Sequence, residues 1–371
     1  MEKKVLISAR DAGGALSVLP VIRALESDPR FEVAIVASGV ASTLFEREGL
    51  IVDNVLLGGF DSIDAAHDLI VVAKELISTH RPDAILTGLS GPTAGIDEAL
   101  IVSASEDIPT FSVQDYWGDV NLTFGKGADH YFVIDDLAET ITKLQVANSG
   151  VSKVGSVKHT SYHSIDPNVL KGFFRCANGI EEDAFLVCLI GQPLWHLKGY
   201  EQTMQFALSE ITNIPGAVAV YLPHPAEPEI AELPEWLPCV EPSKQILEVV
   251  VDSDVLCAVN SSVIADAAAY AAATEHLFAV GAYMLWDVEI SQWVEETTGM
   301  DFVPLARSGC AITVQSQEEF SALLMSTRQE AHRERVFSAI KENKLCVPGA
   351  ELRILDVVWS KLATLIEHED K

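Results

Sequence analysis

Asp254–Ala273 reads DVLCAVNSSVIADAAAYAAA. An apolar run, Asp254-Val-Leu-Cys-Ala-Val259, passes through three small polar residues, Asn260, Ser261 and Ser262, into an alanine-rich segment of high helix propensity. The pattern predicts a strand, a tight turn and a helix N-terminus. Hydroxyls in such a turn cap the first orphan amides, and the helix dipole makes the spot attractive to an anion. An ordinary serine N-cap in an α/β protein gives the same text, so the rest of the chain has to decide between structure and ligand binding.

Outward from this element, apolar strand-like runs alternate with helical periodicities. In the second half Ala184–Ile190 is read as a strand ending at Gly191-Gln192-Pro193, Ala217–Leu222 as a strand ending at Pro223-His224-Pro225, His276–Val280 as a strand ending at Gly281, and Phe302–Leu305 as a short strand. Met284–Glu296 reads as a helix on which Ile290 and Trp293 could form an exposed face. In the first half the strands are Lys4–Ala9, Phe31–Ala37, Ile51–Leu57, Asp83–Thr87, Pro109–Val113 and Ala128–Ile134. The first helix is expected from about Ala15, with Leu16, Leu19, Ile22 and Leu25 at helical spacing, and another runs from about Ile63 to His80. Strands separated by helices imply parallel sheets with right-handed crossovers, whose ligands bind at the C-terminal strand ends. In the first half that edge presents Arg10–Gly14, Ser90–Thr93 and Asp115–Trp117.

Three features there carry chemistry. The pair Gly13-Gly14 lets backbone amides approach a ligand, although a tight strand–helix turn would use glycine equally well, and the full dinucleotide fingerprint is absent. Arg10 and, in the second half, Lys198 are candidate cations for an anionic ligand. The strand end Gln114-Asp115-Tyr116-Trp117 either plugs an interdomain surface or forms a sugar-stacking wall with Asp115 as a base.

The chain has 371 residues, enough for two domains of roughly 150–200 residues. Its net charge of −29, from 54 acidic and 25 basic residues, argues against nucleic-acid binding as the main role but leaves a small phosphorylated ligand open. No apolar run approaches the about 20 residues of a bilayer span, and MEKKVLISA is too short an apolar stretch for a signal peptide, so a cytoplasmic location without a membrane span is expected. Six cysteines without CxxC spacing predict reduced, mostly buried thiols, and with no HxH pairing among the ten histidines no metal site is expected. The predicted domains are 1–153 and 154–348, followed by an amphipathic helix over 349–371 with Leu352, Leu355, Val358, Trp359, Leu362 and Leu365 on one face, packing back on the first domain.

The opening KVLISARDAGG…LPVIRALESDPRFEVAIVASG resembles the start of UDP-N-acetylglucosamine 2-epimerases and related GT-B glycosyltransferases. Val154-Gly155-Ser156 resembles their V-x-G-N-P linker, Leu222-Pro223-His224-Pro225 their V-H-P-N-P loop, and Asn260-Ser261-Ser262 through Asp266 their D-S-G-G-x-x-E turn. The likeness covers nearly the whole chain in order and length. It implies two Rossmann-like α/β domains facing a cleft, the first taking an acceptor and the second a nucleotide sugar, UDP-linked by analogy and with no further cofactor. It also implies that Ser261 and Ser262 hold the diphosphate, that Asp266 accepts from ribose hydroxyls, that His224 lies near the diphosphate or sugar, and that Gly191 and Gln192 edge the base pocket. Two departures matter. The family's G-T-R-P-E loop is replaced by Ala9-Arg10-Asp11-Ala12-Gly13-Gly14, and its H-V-E-A-G-x-R segment by Val113–Asp119, in which only Asp115 keeps a carboxylate. The expected activity is therefore metal-independent sugar transfer from a nucleotide sugar to an unknown acceptor, with Asp115, or else Asp11, as base and His224 as a further catalytic residue. A hydrolysing 2-epimerase and a non-catalytic nucleotide-binding or scaffold homologue are the alternatives, the last drawing on the aromatics Tyr283, Trp286 and Trp293. The oligomeric state is open, with a homodimer among the options.

Overall fold

A computed structural model describes residues 2–369 apart from 56–66, 90, 92, 119, 225, 228 and 241–244. The chain divides into two compact units, Met1–Thr160 with Cys346–Lys371, and Ser161–Leu345. From the sequence the divisions were expected at 153/154 and 348/349.

Unit 1 contains seven parallel strands: β1 (Lys3–Ala9), β2 (Phe31–Ala37), β3 (Asp53–Asn54), β4 (Ala84–Gly88), β5 (Thr110–Val113), β6 (His130–Val133) and β7 (Gly150–Lys153). Their order is β3-β2-β1-β4-β5-β6-β7, so the winding reverses between β1 and β4, where Val5 aligns with Val33 on one side and Ala84 on the other. Strands of a doubly covered parallel sheet are apolar on both faces, and β1 is buried from Val5 to Ala9, β4 throughout. The strand expected over Ile51–Leu57 is only two residues long among the described positions, and the helix expected from Ile63 is described over His67–His80.

The first helix spans Ala12–Glu26, three residues earlier than expected, because Asp11 caps it by accepting from the Gly14 amide. Its buried face is Ala15, Val18, Val21, Ile22 and Leu25, while Leu16 is exposed. A spacing of three residues drifts around a 3.6-residue helix, so Leu16 and Leu25 do not share one stripe. The last helix, Ala350–Glu369, joins the same core through Ile354, Leu355, Val358 and Leu362. Trp359 packs edge-on against Phe31, whereas Leu352 faces solvent and the Leu365 side chain lies outside the described residues.

Unit 2 contains five parallel strands: β8 (Phe185–Ile190), β9 (Ala217–Leu222), β10 (Val255–Ala258), β11 (Val280–Met284) and β12 (Ile312–Val314), in the order β12-β11-β10-β8-β9. Here the winding reverses between β10 and β8. The strand expected over His276–Val280 begins where that reading ended. Gly281, taken as its terminator, is interior, because a side chain there would strike Ile264 of the helix Ser262–Thr274. Phe302–Leu305 is not a strand; Pro304 starts a short helix, Pro304–Arg307, and the edge strand is β12. Ile290 is fully buried and Trp293 packs against the unit 2 core, so the exposed face expected on that helix does not exist.

All six cysteines are free thiols, four of them buried, and burial pushes the Cys188 and Cys257 thiols up. Among the described residues no helix is long and apolar enough to cross a membrane, and no group of three or more His, Cys, Asp or Glu is arranged to hold a metal ion.

Candidate functional site

The opening stretch folds as its text implies. β10 ends at Ala258, Ser261 is the N-cap, and the helix Ser262–Thr274 follows. Ser261 Oγ accepts from the Val263 amide at 3.3 Å and its carbonyl from the Ile264 amide at 3.3 Å. Ser262 stands at the first helical position, where an amide has no acceptor in its own helix. The alanines 267–269 and 271 are buried and allow the helix to lie close on the sheet.

At the C-terminal ends of β8, β9 and β10 a cavity of about 540 Å³ opens at the reversal of strand order. That volume is ordinary for a small-ligand site, and the position is where doubly wound sheets bind ligands. Seven of the residues singled out from the sequence line it: Gly191, Gln192, His224, Asn260, Ser261, Ser262 and Asp266. Ile246, which nothing in the sequence marked, lines it as well.

Each wall has a local cause. Gly191 closes the β8 end, where a Cβ would come within 2.2 Å of Glu227 Oε2 and 2.9 Å of the His224 amide nitrogen. Only glycine fits. His224 follows β9, and its Nδ1 accepts from the Ala226 amide at 3.0 Å. A neutral ring with Nδ1 used as acceptor carries its proton on Nε2 and is a donor there. His224 thus offers a hydrogen bond to an anion rather than a base to a hydroxyl. Asp266 lies one turn into the helix, nearly buried, with Tyr162 Oη 3.3 Å from its Oδ1.

Unit 1 brings the other predicted residues together at its own strand ends. Arg10 donates to Thr93 Oγ1 (2.9 Å), Gly91 O (2.6 Å) and Thr93 O (2.5 Å) and faces Glu98 at 3.8 Å. Asp11 accepts from the Gly14 amide through Oδ1 (2.8 Å) and from the Gly91 amide through Oδ2 (3.1 Å). Both therefore hold the loop after β4 in place. Gly14 abuts that loop, with Leu89 O 2.7 Å from where its Cβ would be, and a side chain on Gly13 would overlap the Asp115 carboxylate. Asp115 and Tyr116 are half-buried; Trp117 is buried, its Nε1 donating to Asp135 Oδ2 at 2.8 Å. The indole thus belongs to the unit 1 core and is no exposed stacking wall. Ser90 lies outside the described residues. Lys198, the other predicted cation, is exposed at the start of the helix Lys198–Thr212 and does not line the unit 2 cavity.

Sequence reasoning missed a second class of residue, acids held by several internal partners. Asp97 and Glu98 sit side by side in the first turn of the helix Ile96–Ser103, with Ser8 Oγ bonded to Asp97 and Glu98 accepting from the Gly95 amide at 2.9 Å. Burial, with the Asp97 charge adding to it, pushes the Glu98 carboxyl up to about 8 against the pull of Arg10. In unit 2 Glu227 is bonded to three donors. It fell within a Pro- and Glu-rich stretch that reads as plain loop, and nothing in the text distinguishes it from Glu229 or Glu232.

No protein-family model matches the chain, and no curated protein sequence matches it. Solved structures do match. The Staphylococcus aureus MnaA–UDP co-structure superposes with a TM-score of 0.69 at 14% identity, covering 97% of each chain. The fold is GT-B. UDP-GlcNAc 2-epimerase from Neisseria meningitidis bound to UDP-GlcNAc matches this GT-B chain with a TM-score of 0.68 at 11% identity, over 96% of this chain and 100% of that one. The glycosyltransferase of kitacinnamycin matches with a TM-score of 0.56 at 13% identity, over 98% and 100%. At such identities what is shared is the GT-B architecture, two parallel-sheet α/β units built in the same order.

Proposed function

We propose that unit 2 binds the diphosphate of a nucleotide sugar in the cavity at the β8–β10 reversal, and that the protein is an enzyme acting on that sugar. The observation that carries this reading is the composition of one cavity. It joins a capped helix N-terminus at Ser261–Ser262, a histidine donor at His224 and a carboxylate at Asp266. The first two favour negative charge, and the third suits ribose hydroxyls. The GT-B fold supports it, since neighbours of that fold are described in complex with UDP and UDP-GlcNAc.

The reaction we favour is metal-independent glycosyl transfer. An acceptor hydroxyl forms a bond to the anomeric carbon, the bond from that carbon to the diphosphate breaks, and the hydroxyl proton passes to a base. Amides and the His224 Nε2–H take the leaving-group charge, as preorganised donors do where charge develops. Both Asp11 oxygens hold the loop after β4; the base we favour is Asp115, the one carboxylate kept in the Val113–Asp119 segment. A single base fits transfer. The second reading, 2-epimerisation by elimination and re-addition, draws on the number of neighbours of this fold that are described as UDP-GlcNAc 2-epimerases. It needs paired carboxylates.

The deciding experiment is calorimetry with UDP, CDP, GDP and dTDP, followed by proton NMR of the matching nucleotide sugar without acceptor. Binding of one nucleotide with Asp266→Asn weakening it about tenfold is expected, with Asp115→Asn leaving binding intact but ending turnover. A C2 epimer formed without acceptor would replace transfer with epimerisation. No binding of any nucleotide would end both readings.

A further inference from the structure

The loops after β8 and β9 meet on one carboxylate, Glu227, which is not among the residues lining the candidate cavity. Glu227 accepts from Trp195 Nε1 at 2.5 Å, from Tyr221 Oη at 2.6 Å and from the His224 amide at 2.5 Å. Trp195 belongs to the first loop, Glu227 and His224 to the second. Behind the carboxylate lies a chain of hydroxyls. Tyr221 Oη is 3.2 Å from Tyr200 Oη, which accepts from the Gln192 amide at 2.9 Å.

The direction of every proton in this chain is fixed. Glu227 is a carboxylate and only accepts, so Tyr221 donates to it. Tyr221 oxygen must then accept from Tyr200, and Tyr200 oxygen accepts from Gln192. The chain begins and ends on residues of the candidate cavity, Gln192 and His224. Tyr200 and Tyr221 are fully buried, and Trp195 packs edge-on to Tyr200 with ring centres 5.1 Å apart. Gly191 passes so close to Glu227 and Tyr221 that no side chain fits between them.

We propose that Glu227 is a positioning residue for the nucleotide cavity: it clasps the β8 and β9 loops into one wall and holds the His224 backbone where its imidazole can meet the diphosphate. The assignment rests on the nucleotide-binding reading given above. Its chemistry makes a specific demand. The amide of Glu227→Gln can place its oxygen at the Oε1 position and keep Trp195 and Tyr221, but its NH₂ then faces the His224 N–H. Two donors cannot bond, and a buried donor left unpaired is costly. E227Q therefore releases His224 while sparing the aromatic packing.

Two readings on the full-length protein test this, amide hydrogen exchange at His224 and the Kd for UDP. Expected in E227Q are His224 exchange at least tenfold faster, UDP affinity about tenfold weaker, and a Trp195 indole N–H resonance still downfield. Unchanged His224 exchange, or wild-type UDP affinity with the exchange raised, overturns the proposal. If E227Q does not fold, Tyr221→Phe takes its place. It keeps the ring and removes the proton delivered to the carboxylate, and the same two readings apply, with a UDP effect of about threefold. A wild-type protein that binds none of UDP, CDP, GDP and dTDP ends the functional reading instead. The clasp is then judged on exchange alone, and equal His224 protection in wild type and variant overturns it.

Discussion

Both units are doubly wound parallel sheets, and in both the strand order reverses beside the strand whose following loop carries a glycine. The two reversals are used differently. At the β1–β4 reversal of unit 1 the polar groups bond to one another: Arg10 and Asn121 share the carbonyls of Gly91 and Thr93, and Asp11 holds the Gly14 and Gly91 amides. At the β8–β10 reversal of unit 2 the loops stand apart around about 540 Å³, because their own polar demands are met from behind by Glu227. Topology offers a site at each reversal; the loops there spend their hydrogen bonds differently in the two units.

The comparison breaks most visibly at two glycines. Gly191→Ala forces a methyl into Glu227, Tyr221 and the His224 amide. UDP binding should disappear in calorimetry, and thermal unfolding should report a loss of roughly 1–3 kcal/mol from overpacking. Gly14→Ala meets the Leu89 carbonyl instead. It should lose a similar amount of stability and leave UDP affinity alone. If both variants weaken UDP binding equally, the division of labour between the two reversals fails.

The strand-end cluster of unit 1 should also have a pH signature. The Glu98 carboxyl is raised to about 8 from an ordinary 4.5, chiefly by burial. The folded chain therefore keeps a proton that the unfolded chain has lost, and stability from this group falls as pH climbs from about 4.5 to about 8. Glu98→Gln removes that term, so urea unfolding at pH 5 and pH 8 should show a smaller decline with pH in the variant than in the wild type. Equal declines would mean that Glu98 is charged in the fold and that Arg10 compensates it fully.

The smallest expected effect is at Lys198, exposed and outside the cavity. Lys198→Ala should change the UDP Kd by less than about twofold, as surface substitutions generally do. A larger loss would mean that the lysine reaches the ligand and that the donor set of unit 2 is incomplete as drawn here.

Legible in the sequence alone were the alternation of strands and helices, Gly191 at the end of β8, and the Asn260–Ser262 turn with Asp266 one helical turn beyond. Those features are local: burial on both faces writes continuous apolar runs, and capping needs a hydroxyl at one position. What the tertiary structure decided was the partner of each polar side chain. Arg10 read as a candidate cation and Asp11 as an alternative base, and both hold a loop; Trp117 read as either an interdomain plug or a stacking wall, and it is bonded to Asp135 in the core. Glu227 read as one acid among several and gathers three donors, from the loop after β8, from β9 itself and from the loop after β9. Gly281 read as a strand end and is the point where a helix presses on the sheet. A hydrogen bond between residues far apart in the chain leaves no periodicity in the text. Its energy depends on distance and burial, which exist only once the strands have set their order.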